Sequence, residues 1–310
     1  MEEIFSRQNP RFKSACKLLS ARGRQKQGRI LIIGNREVVR AARSGLQFEE
    51  IFLSERIVQL RPEVNDLSNS EVSNSEVPNS EEAAILLLLD QITNPDSRPV
   101  PRIAVLNESL FSELAYGDRQ VDIIGVANRP STSLADLPHS DSSAPSLLIV
   151  LESLEKPGNL GAIARSADGC GSAGIVLADP LTDIYHPNSI RSSVATVFSV
   201  PIATASSAAI VDWMVKNKRQ VLIASPEAEK SLYDIEMSTQ AAIVLGNEAQ
   251  GVSLFWRKLI EHQRANDDFK QLVQTFRVPM KGIGDSLNVA VTGSIIIYEW
   301  LRRNESADSQ

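Results

Sequence analysis

The chain has 310 residues, 43% hydrophobic and 5% aromatic, and its 32 Lys plus Arg against 38 Asp plus Glu give a formal net charge of -6. At ~100–200 residues per domain this length predicts two domains with real cores, and the ordinary apolar fraction excludes a disordered or fibrous chain. The negative total argues against a nucleic-acid partner, because such proteins usually carry surplus positive charge to neutralise phosphates.

In chain order, the pattern predicts a helix over 10–21, a strand over 29–33, a helix from Glu37 closed by Gly45, and a strand over 50–53. Residues 67–82, LSNSEVSNSEVPNSEE, repeat Asn-Ser-Glu three times with almost no apolar residue, and read as a mobile surface insertion. A helix over 81–91, a strand over 102–106, a short helix over 109–115 and a strand over 122–127 complete a small α/β domain, residues 1–129. The Pro-, Ser- and Asp-rich stretch 130–145 reads as a linker. Beyond it, in a second domain over 146–304, continuous apolar runs predict buried parallel strands at 147–151, 174–177, 220–224, 241–245 and 275–278. Helices are expected at 159–169, 189–195, 206–217, 254–262 and 286–302. The polar stretch 263–271 reads as a surface insertion.

Charge is unevenly spread: residues 1–45 hold 11 basic and 3 acidic side chains, whereas 46–145 hold 6 and 17. The negative total therefore conceals a basic end. Arg7, Arg11, Lys13, Lys17, Arg22, Arg24, Lys26 and Arg29 form a candidate RNA-binding cluster, with a solvated helix face as the plainer reading.

Cys16 and Cys170 with three scattered histidines make neither a disulfide framework nor a metal site, so no metal is expected and a reduced, cytoplasmic compartment is the default. No apolar run approaches the ~18 residues of a membrane span, and the charged amino terminus lacks a signal-peptide core.

Three loops after predicted strands share a Gly/Asn-rich composition. The first runs from Lys156 to Arg165 (KPGNLGAIAR), the second from Leu245 to Val252 (LGNEAQGV) and the third from Val278 to Val289 (VPMKGIGDSLNV), where Ser286 or Asp285 can cap a helix. Each alone could be only a turn or a helix start. Together they occupy the strand ends of one parallel sheet, where separate loops converge on a ligand crevice. A dinucleotide fingerprint, a P-loop and a nucleophile elbow are all missing.

These loops resemble the three motifs of the SpoU (TrmH-like) RNA ribose 2'-O-methyltransferases of the SPOUT superfamily. Asn159, Gly161 and Arg165 match the first, Leu245 to Gly251 the second, and Pro279 to Val289 the third. Asn9-Pro10, the basic helix and Gly28 to Gly34 resemble the ribosomal-protein-like RNA-binding domain of many members. The resemblance implies an α/β fold with a mostly parallel open sheet, a carboxy-terminal trefoil knot, a small amino-terminal RNA-binding domain and a homodimer formed through the knotted domain. It also implies that S-adenosylmethionine is held by Leu245, Gly246, Asn247, Glu248, Gly251, Val278, Met280, Ser286, Leu287 and Asn288. Arg165 takes the catalytic position, oriented with the ribose by Asn159, Glu248, Ser286 and Asn288. The chain departs from the family at 263–271 and at Val194-Ala195-Thr196, where small residues including glycine are common. The expected activity is ribose methylation of structured RNA, with 23S ribosomal RNA favoured over transfer RNA. A resistance-conferring ribosomal methyltransferase, a non-catalytic RNA-binding relative and a nucleotide-binding module remain alternatives.

Overall fold

The computed structural model describes residues 2–59, 81–93, 100–115, 121–138, 144–265, 272–284 and 286–304. The repeat-bearing stretch 67–80 and most of 263–271 lie outside these residues. The chain folds into two compact units, Met1–Pro130 with Tyr185–Phe198, and Ser131–Ile184 with Ser199–Gln310.

The first unit begins with β1 (Glu2–Ile4), α1 (Pro10–Lys17), α2 (Ala21–Gln27), β2 (Arg29–Ile33), α3 (Asn35–Arg43) and β3 (Phe48–Ser54). It continues with α4 (Glu81–Thr93), β4 (Arg102–Leu106), α5 (Glu108–Leu114) and β5 (Ile123–Asn128). The strands form a mixed sheet in the order β1-β4-β3-β5-β2, parallel at β1/β4/β3 and antiparallel at β3/β5/β2. Where the sequence predicts one helix over 10–21, two are present. Ser20 accepts the Gly23 N–H at 3.1 Å and starts a new helix, while Arg24 donates to the Leu18 and Leu19 carbonyls left open at the end of α1. The three-residue β1 carries too short a pattern to read from sequence.

The second unit contains β6 (Ser146–Glu152), α6 (Pro157–Gly169), β7 (Gly174–Ala178), β8 (Ile202–Ala205), α8 (Ser207–Lys216) and β9 (Gln220–Ala224), while α7 (Pro187–Ser192), between β7 and β8 in the chain, belongs to the first unit. The second unit ends with β10 (Gln240–Leu245), α9 (Leu254–Ala265), β11 (Val273–Phe276) and α10 (Val289–Asn304). All strand pairs are parallel in the order β11-β9-β10-β6-β7-β8. Ile210 and Met214 of α8 and Trp256 of α9 pack with Leu148, Val150, Val176 and Val244 into one core. On the other face α6 and α10 meet, with Ser166 and Ser294 hydroxyls 2.7 Å apart.

Several local expectations are corrected. Strand β11 ends at Phe276, two residues before the expected end, because 273–276 pair with Val221–Ala224. Helix α10 begins at Val289 rather than 286: Asn288 Oδ1 accepts the Ala290 N–H at 2.9 Å and does the capping expected of Ser286, while Asp285 lies outside the described residues. Within the stretch read as a linker, Leu134–Asp136 forms a 3-10 turn and Leu137, 3% exposed, joins the second unit's core. Finally, Val194 and Ala195 hold φ of 51° and 67°, a region that favours glycine. The backbone there is one that glycine adopts without strain, and Val194 and Ala195 adopt it with a side chain.

Candidate active site

The three Gly/Asn-rich loops meet at the carboxyl ends of β6, β10 and β11, as the position of ligand crevices in parallel sheets leads one to expect. Ala224 and Leu245, the last residues of β9 and β10, and Val278 just beyond β11 help enclose a cavity of about 400 Å³. That volume lies within the ~300–1,000 Å³ common for small-molecule sites.

The second loop forms a closed turn. Asn247 and Gly251 exchange backbone hydrogen bonds at 2.9 and 3.0 Å, and Gly251 takes φ 66°. Gly246 lies so close beneath this turn that a Cβ there would stand 2.3 Å from Gly251 C and 2.4 Å from Val252 N. The Asn247 side chain braces the loop: its Oδ1 accepts the Ala249 and Gln250 N–H groups, and its Nδ2 donates to Ser153 O and Glu155 Oε1. Buried Glu152 holds the far end by accepting the Ser253 N–H at 2.9 Å. No spacing in the sequence marks Glu152.

One residue from each motif enters a hydrogen-bonded chain. Asn288 Nδ2 donates to Asn159 Oδ1 at 3.2 Å, and Asn159 Nδ2 donates to Glu248 Oε1 at 2.8 Å. Glu248 Oε2 is buried and has no hydrogen-bond partner among the described residues. A buried carboxylate oxygen in this state calls for a donor from a ligand or a water molecule. Arg165 projects exposed from α6 and makes no hydrogen bond or ion pair among the described residues.

All the expected cofactor contacts except Asn288 line the cavity: Leu245, Gly246, Asn247, Glu248, Gly251, Val278, Met280, Ser286 and Leu287. Asn288 instead joins Asn159 to the start of α10. Sequence reasoning missed Ser225, Glu227, Arg257 and Arg277, which also line it. They come from a β9 loop without glycine and from residues outside the motifs.

In the first unit, the basic cluster is divided by folding. Arg24 is 1% exposed and spends its guanidinium on carbonyls. Arg11 pairs with Glu50 and Glu2, and Arg29 bonds Ser14, Gln27 and Glu49. These three cations are thus engaged within the unit. Arg7 is exposed but pairs with Glu113 at 2.8 Å, while Lys13, Lys17, Arg22 and Lys26 are exposed. A second basic row, which the cluster omitted, is Arg36, Arg40 and Arg43 on the exposed face of α3 at helical spacing.

A family model described as the SpoU rRNA methylase family matches residues 146–298, and one described as an MRM3-like substrate binding domain matches residues 9–85. A 23S rRNA (uridine(2479)-2'-O)-methyltransferase of Streptomyces viridochromogenes is 29% identical over 211 residues, covering 66% of this chain and 68% of that protein. The crystal structure of an RNA 2'-O ribose methyltransferase aligns at a TM-score of 0.71 and 28% identity over 97% of this chain and 98% of that one. The SpoU methyltransferase AviRb of Streptomyces viridochromogenes in complex with AdoMet shares the fold at a TM-score of 0.75 and 24% identity, covering 96% of this chain and 99% of that one. The chain thus carries a SpoU rRNA methylase domain, preceded by an MRM3-like substrate-binding domain.

Proposed function

We propose that the protein is an S-adenosylmethionine-dependent RNA ribose 2'-O-methyltransferase acting on 23S ribosomal RNA. The observation that carries this reading is the Asn288–Asn159–Glu248 chain beside a cavity at the strand ends of a SpoU methylase domain. Ribosomal RNA is preferred to transfer RNA because the relative from Streptomyces viridochromogenes acts on 23S rRNA.

The cavity suits the cofactor in size and chemistry. Leu245, Met280 and Leu287 offer apolar wall for a nucleobase, backbone at Gly246 is closely approachable, and Glu248 Oε2 awaits a donor. When bound, S-adenosylmethionine supplies an electrophilic methyl group on a sulfonium. A ribose hydroxyl is a weak nucleophile until its proton is removed or polarised. The Arg165 guanidinium has donors and no acceptor, so it stabilises the developing oxyanion and holds an RNA phosphate. Asn159 and Asn288 fix the Glu248 carboxylate in place, and Ser286 faces the same cavity. Arg165→Ala should lower the single-turnover methylation rate by ~10²–10³-fold with cofactor affinity unchanged; an undiminished rate would remove the role.

RNA is held in this reading by the exposed cations of the first unit, Lys13, Lys17, Arg22 and Lys26 together with the α3 row. Each phosphate contact contributes ~0.7–0.9 to the slope of log affinity against log salt. The pair Arg40→Glu and Arg43→Glu should therefore reduce that slope by about 1.5, read by titration of an rRNA fragment at several salt concentrations. An unchanged slope removes α3 from the interface.

The family's trefoil knot, homodimer and cytoplasmic location belong to the same proposal. Val291 and Tyr298, each 49% exposed on α10, support an apolar dimer face, and a monomeric sedimentation mass would contradict it. No helix among the described residues is long and apolar enough to cross a membrane.

A further inference from the structure

Two opposite charges on the cavity wall have no part in the chemistry just described. Glu227 follows β9 and Arg257 lies on α9, and both line the cavity. They attract one another, and the nearby guanidinium contributes, after the Ser225 and backbone hydrogen bonds, to holding the Glu227 carboxyl below its usual range. Yet they form no ion pair among the described residues. Each is half committed instead. Ser225 Oγ donates to Glu227 Oε2 at 2.5 Å, which leaves Oε1 open. Arg257 gives Nε to Val252 O at 3.0 Å and Nη2 to Gln250 O at 3.3 Å, which leaves Nη1 open.

We infer that Glu227 and Arg257 form a clamp for the amino-acid end of the cofactor, Glu227 Oε1 accepting from its α-ammonium group and Arg257 Nη1 donating to its α-carboxylate. This rests on the reading of the cavity as an S-adenosylmethionine site. A negative and a positive charge side by side are together complementary to the cofactor's zwitterionic amino-acid end, the one part of it that carries both an ammonium and a carboxylate. Charge-assisted hydrogen bonds of this kind are the strong ones, and the guanidinium suits a carboxylate. Their place in the sheet fits as well. Asn159 follows β6 and Glu248 follows β10, whereas Glu227 follows β9, which lies on the side of β10 away from β6. With strands ~4.8 Å apart, the clamp is set off by about two strand spacings from the loop bearing Asn159. The charged end of the cofactor is thereby kept apart from the reacting groups.

Binding of two ligands to the 310-residue chain by isothermal titration calorimetry tests the clamp. S-adenosylhomocysteine and 5'-methylthioadenosine share the nucleoside and a neutral thioether, and only the first carries the amino acid. Glu227→Gln should weaken S-adenosylhomocysteine at least tenfold and leave 5'-methylthioadenosine within twofold. Arg257→Gln should show the same selectivity, although it also releases the Val252 and Gln250 carbonyls, so Glu227→Gln decides. Equal weakening of both ligands would assign Glu227 to the nucleoside and overturn the clamp, as would unchanged affinity for S-adenosylhomocysteine. Wild-type protein that binds neither ligand would overturn the cofactor reading itself.

Discussion

Gly246→Ala is expected to weaken cofactor binding and to lower the methyl-transfer rate by about 100-fold, the scale of rate loss that an ångström of displacement at a preorganised site produces. The added methyl group would stand 2.3–2.5 Å from the backbone of Gly251 and Val252. No rotamer relieves a clash with backbone, so the turn must open. Opening it breaks the paired Asn247–Gly251 hydrogen bonds and shifts Glu248 away from Asn159. The fold itself should survive, with a stability cost of roughly 1–3 kcal/mol for overpacking. Calorimetric titration with S-adenosylhomocysteine alongside a denaturant melt separates the two effects. Wild-type affinity in the variant would mean that the turn is looser than its packing indicates.

Asp122→Ala should be among the most damaging single changes to the first unit, at about 2–3 kcal/mol, because it removes the acceptor of the buried Asn35 amide and the Ser54 hydroxyl and the partner of Arg56. Only 2% of the Asp122 side chain is exposed. Its carboxylate accepts from Arg56, from the Ser54 hydroxyl at 2.9 Å and from Asn35 Nδ2 at 3.2 Å, while its own N–H donates to Asn35 Oδ1 at 2.8 Å. Burial pushes this carboxyl's pKa up, but the hydrogen bonds from Arg56, Ser54 and Asn35 outweigh it and hold the pKa below the ordinary value. A folded pKa below the unfolded value of ~3.9 means the contribution is complete above that pH and is lost as pH falls through the folded pKa. Urea unfolding at neutral pH should show the full deficit, narrowing in acid. A loss under about 1 kcal/mol at neutral pH would contradict the assignment of this network as a buried, fully paired charge.

What the sequence makes legible follows from how local each signal is. Strand β2 is expected at 29–33 and is found there, because an apolar run bounded by Gly28 and Gly34 leaves little choice. The motif loops are equally plain, since glycine and asparagine at strand ends are set by backbone geometry. Burial of cations is not legible. Arg24 and Lys26 look alike in a basic segment, but one caps carbonyls inside and the other is exposed, and only the break between α1 and α2 decides which. The same limit hides Glu227 and Arg257, which reach the cavity from β9 and α9 without a motif to mark them. The 185–198 stretch shows the opposite case. Its family departure at Val194 and Ala195 is visible in the sequence, and its meaning becomes clear only with their positive φ angles.

The central claim is that methyl transfer ends on a ribose oxygen of ribosomal RNA. Incubating the protein with isotopically labelled S-adenosylmethionine and unmodified 23S rRNA, then digesting to nucleosides for mass spectrometry, reads this directly. The label is predicted on one kind of 2'-O-methylnucleoside, and to appear ~10²–10³-fold more slowly when Arg165→Ala replaces the parent. Label on a base, or no label in rRNA from a protein that binds the cofactor, would contradict the account.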